Sequence, residues 1–135
     1  MTAWIAKRRG AIAVATAVAT AGLLLHNVYE FPLSILISIE TLGPLAVTVV
    51  LLAIVCVRPE RFALIVLTVW IGMHMILGGA SVLPLPGLPF EPEQTVTHYV
   101  VHVLYAILQL PMFLLGWRLL RRPGRANSVT SRRVL

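Results

Sequence analysis

Charge is what this sequence has little of. Asp, Glu, Lys and Arg make up 12% of its 135 residues, against about 25% in an ordinary soluble chain. Aspartate is missing altogether, and the acids reduce to Glu30, Glu40, Glu60, Glu91 and Glu93. With 59% apolar residues beside so few charges, a soluble core-rich domain is excluded and a membrane protein is the working class. The single cysteine, Cys56, excludes an intramolecular disulfide and a thiolate metal cluster; it reads as a small apolar filler. No GxSxG turn, phosphate-binding loop or Cys/His nucleophile pair occurs, which leaves ATP-driven chemistry and serine hydrolysis without a motif.

What the sequence does have is four long apolar runs, at about 10–29, 33–57, 62–83 and 96–117. Each is near 20 residues, enough to cross roughly 30 Å of hydrocarbon at about 1.5 Å per residue. The first run, with its basic start and Ala-x-Ala triplets, also has the outline of a secretory leader. Its Ala, Gly and Thr content suits close helix packing in lipid, and it is taken as a retained span. The expected fold is an all-α integral membrane four-helix bundle over residues 1–118, followed by a basic tail at 119–135.

Four spans put Lys7, Arg8, Arg9, Arg58, Arg61 and every arginine from Arg118 to Arg133 on one side. Glu30, Glu91 and Glu93 fall on the other, with no Lys or Arg. The positive-inside rule then predicts both termini in the cytoplasm and a multi-pass chain in the cell membrane. The tail follows a span directly, so its partner is expected to be anionic lipid headgroups rather than nucleic acid. Its Ser, Asn, Gly and Pro content predicts disorder. A chain this small is expected to work as a homodimer or as a subunit of a larger membrane complex.

All four histidines fall in or near the outer half of the predicted bundle. His26 and Glu30 lie one turn apart at the outer end of the first span, and Glu40 two turns into the second. His74, one turn beyond Trp70, lies midway along the third. On the fourth, a 100° step places His98, His102, Tyr105 and Gln109 at about 0°, 40°, −20° and 20°. Such a narrow polar stripe must face the bundle or a wet cavity, because acyl chains cannot satisfy it. Pro44 withholds an amide from the Glu40 carbonyl, which predicts a bend beside that carboxyl.

Three readings follow. Neutral imidazoles with carboxylates suit Cu, Zn or Fe, giving the candidate ligands His26, Glu30, Glu40, His74, His98 and His102. Met73 and Met75, beside His74, are expected to point away from it and pack. A b-type haem, held between two of His26, His74 and His102, is the alternative, with Gly72, Gly78 and Gly79 giving the macrocycle clearance. A quinone headgroup near Tyr29, Tyr99 and Tyr105 would suit such an electron-transfer subunit. The third reading needs no cofactor: the rings and Gln109 hydrogen-bond across helices. Finally, the Pro-rich SVLPLPGLPFEPEQ loop carries Leu85, Leu88 and Phe90 as a candidate lid, with Glu93 and Thr95 as caps of the fourth span.

Overall fold

The structure, a computed structural model, describes residues 3–83 and 94–121. The candidate lid, Glu91, Glu93 and the tail beyond 121 lie outside the described residues. A short α1 (Ala3–Ala6) precedes α2 (Arg9–Glu30), a 3-10 segment (Leu33–Ile37), α3 (Ile39–Val57), α4 (Arg61–Ala80) and α5 (Val96–Leu120). Among the described residues every regular element is helical. The helices α2 to α5 are each long and apolar enough to cross a membrane.

Their boundaries differ from the sequence expectation at α3 and α4. The second span begins at Ile39 rather than Leu33. Pro32 cannot donate a backbone bond, and Leu33–Ile37 closes tight 3-10 turns before Ser38 turns extended as the N-cap. Helix α4 ends at Ala80, where the Gly78–Gly79 pair gives way to a turn. Helix α5 starts as expected, with the Thr95 hydroxyl accepting from the His98 amide at 3.3 Å.

Helix α5 packs chiefly against α2 and α4, and α3 lies at the flank. The apolar core occupies the end of the bundle that carries the basic residues. Ile5, Ile12, Val55, Leu64, Leu67, Met112 and Leu119 interlock there, and each is at most 2% exposed. Arg61 caps this end by donating to the Leu120 carbonyl at 3.1 Å. Outward faces are apolar: Val47, Val50 and Ile54 on α3, Val69 and Ile76 on α4 and Val103 and Ile107 on α5 are all exposed. That distribution is the one a hydrocarbon solvent permits.

Polar groups inside the bundle pair across helices. The Trp70 indole N–H donates to Thr48 Oγ1 at 2.9 Å, tying α4 to α3. A double-mutant cycle of Trp70→Phe and Thr48→Val, read by unfolding in mixed micelles, is expected to give a coupling of about 0.6–1.7 kcal/mol. Additive losses in that cycle would remove the bond from the stabilising terms.

Candidate functional site

The opposite end of the bundle is built from imidazoles. His26 on α2 and His102 on α5 meet edge to face, with ring centroids 4.6 Å apart and Nε2 atoms 3.3 Å apart. His98, one turn before His102, lies against it with centroids 4.5 Å apart. Helix periodicity explains the arrangement: residues four apart share a face, and α5 turns that face inward between α2 and α4.

Each of these three rings is held through its Nδ1. His102 Nδ1–H donates to the Gly78 carbonyl of α4 at 2.5 Å. His26 Nδ1 pairs with Asn27 Oδ1 at 3.0 Å, while the Asn27 amide donates to Thr41 Oγ1 at 2.6 Å. His98 Nδ1 forms a short contact with Glu30 Oε2, an ion pair when the ring is protonated. The Nε2 side is therefore left to the interior of the group. Two Nε2 atoms face each other, and the third, on His98, is buried without a hydrogen-bond partner.

His74 belongs to a second group. Its Nδ1 pairs with the Tyr105 hydroxyl at 3.0 Å and its ring meets Trp70 edge to face at 4.5 Å. The Tyr105 ring stands between the two groups, 5.2 Å from His26. Below it, Thr48, His74, Tyr105 and Gln109 line a recess of about 10 Å³, the size that admits a single water. Gln109 donates to the Ala19 carbonyl at 3.1 Å, while its Oε1 is buried and unpaired.

The stripe read from the sequence thus faces inward, with His102, Tyr105 and Gln109 all buried. Trp70 and His74, one turn apart on α4, meet edge to face, and His26 and Glu30 share a face towards α5. Glu40 is placed elsewhere. Because α3 starts late, Glu40 sits in its first turn, exposed to the surroundings and away from the imidazoles. The glycines proposed as macrocycle clearance are occupied by α5: Gly72 abuts Phe113, Gly78 abuts Tyr105 and Gly79 faces the Ala106 methyl. Met73 points outward, as its phase on the helix predicts.

Asn27, Thr41 and the Gly78 carbonyl were not legible as site groups. Asn27 carries the one available signal, an amide inside an apolar run next to a histidine. A backbone carbonyl carries none. Among the described residues no group of three or more His, Cys, Asp or Glu side chains is placed to hold a metal ion. His26 and His102 form a facing pair, and the His98 ring lies beside it. No family model, curated protein or solved structure matches this chain.

Proposed function

We propose that this chain is a multi-pass membrane protein, with both termini in the cytoplasm, that binds one transition-metal ion between His26, His98 and His102 for metal handling or redox work. The observation that carries this reading is the buried, unpaired Nε2 of His98 beside two Nε2 atoms 3.3 Å apart. Two nitrogens bound to one tetrahedral ion at about 2.0–2.1 Å lie about 3.3 Å from each other. Metal-ligating histidines donate their other ring N–H to a carbonyl or carboxylate. Here the Gly78 carbonyl, Asn27 Oδ1 and Glu30 fill that role. A turn of the His98 ring towards the pair completes a three-nitrogen set, and imidazole donors suit Cu, Zn or Fe.

The cofactor-free reading has to place an extra proton between the His26 and His102 Nε2 atoms, because both Nδ1 nitrogens already donate, to Asn27 Oδ1 and the Gly78 carbonyl. It leaves His98 Nε2 as an unsatisfied buried group, at a cost of about 1–3 kcal/mol. Haem has less support. Ligands on opposite faces of an iron stand about 4 Å apart with a macrocycle between them, whereas these rings touch edge to face.

Elemental analysis of the full chain, purified in detergent without chelator, tests the proposal. One Cu, Zn or Fe per chain is expected, and acid should release it because protons compete for the imidazoles. Glu30→Gln keeps the shape but weakens the partner of His98, and is expected to lower affinity about 10–100-fold. Metal content below about a tenth of an ion per chain, in protein refilled with each ion in turn, sinks the proposal.

A further inference from the structure

A cavity of about 410 Å³ opens between α2 and α5 beside the imidazole group. That volume lies within the range of roughly 300–1,000 Å³ typical of small-molecule sites. Its inner end is closed at Gly22, where α2 comes so near α5 that a Cβ would stand 2.9 Å from the Leu108 Cβ. From there to Tyr29 the cavity follows two turns of α2, about 10 Å.

The walls are of two kinds. Leu25, Val96, Val100 and Leu104 form the apolar side, and all four are themselves exposed on the outer surface of the bundle. The rings of His26 and Tyr105, 5.2 Å apart, form the other side. Tyr29, in the last turn of α2, and Thr97, in the first turn of α5, are the hydroxyl-bearing residues that line the outer end. A lipid acyl chain would fill the apolar side but leave the ring wall and both hydroxyls unused. A flat, hydrogen-bond-accepting ring on an apolar tail uses all of them: the ring against His26 and Tyr105, its carbonyl oxygens towards Tyr29 and Thr97, the tail leaving between Val100 and Leu104.

We infer that this cavity is a binding site for a lipid-soluble quinone, entered sideways from the bilayer. The site goes beyond the ion proposed above and rests on the cavity's shape and lining, although His26 belongs to both and sets a bound ring beside the imidazoles.

The test uses the full chain in phosphatidylcholine nanodiscs with a photoactivatable azidoquinone bearing a decyl tail. Crosslinks are expected within 22–29 and 96–105, displaced by decylquinone and not by decanol at equal concentration. Val100→Trp fills the cavity from its apolar side, and labelling should fall about tenfold with metal content and elution volume unchanged. Leu104→Trp serves as a second filling variant should the first misfold. Equal displacement by decanol would make the cavity an acyl-chain slot and overturn the inference, as would crosslinks spread over α3 or full labelling of a folded filled variant. Labelling at the cavity in a wild-type protein that holds no metal would defeat the ion alone.

Discussion

His102→Ala is expected to empty the proposed ion site, taking metal content from one ion per chain to below about a tenth, because it removes the central nitrogen of a three-imidazole set. His102 touches both other rings: its Nε2 faces that of His26, and its ring lies against His98. His26→Ala should do the same. His98→Ala keeps the His26–His102 pair, whose Nε2 atoms already stand at the spacing of two nitrogens on one ion, and is expected to weaken affinity by about 100-fold rather than abolish it at high metal. His74→Ala and Glu40→Ala should leave the ion in place, since His74 is bonded to Tyr105 and Glu40 is exposed on α3. Competitive titration with a chromogenic chelator reads all five. If the rings only pack helices, the first three variants lose about 0.6–2 kcal/mol of stability each and bind no less metal than wild type. Equal losses across all five variants would point to general unfolding and reject the assignment of ligands.

How much of this could be read beforehand follows from the kind of information each feature needs. Span existence is set by run length and hydropathy, so Arg9–Glu30 and Val96–Leu120 lie within three residues of the expected ends. The inward phase of His102, Tyr105 and Gln109 is set by helix geometry within one element, and it too was legible. Which histidines meet is decided by the rotation of α2 and α4 about their own axes relative to α5. No periodicity within a single helix contains that angle. His26 and His74, both expected in or near the outer half, therefore parted, one to His102 and the other to Tyr105. Glu40 failed for a local reason, the 3-10 turns after Pro32 that delay α3 by six residues. The apolar half near the basic residues needed no such angle, because Leu, Ile and Met pack in many rotations.

Gly78→Val and Gly116→Val are expected to damage the bundle alike and the site very differently. Both glycines face α4–α5 contacts with no room for a side chain. A Cβ at Gly78 would fall inside the envelope of the Tyr105 ring, and one at Gly116 inside that of the Thr68 hydroxyl. Overpacking of this kind costs about 1–3 kcal/mol when neighbours can shift, and more when they cannot. Each variant should therefore unfold at lower denaturant in mixed micelles. Gly78, however, also supplies the carbonyl that holds His102 Nδ1 at 2.5 Å. Pushing α4 away from Tyr105 lengthens that bond, frees the imidazole to turn and lowers metal affinity by about 10–100-fold. Gly116 sits in the last two turns of α5, at the basic end, beside Thr68 and far along the helix from His102. Its variant should bind metal as wild type does until the bundle itself unfolds. Matched stability losses with unmatched affinities mark the Gly78 carbonyl as a group that positions a ligand. Matched losses in both would reduce it to packing, and the ion would then depend on the bundle as a whole rather than on the orientation of one ring.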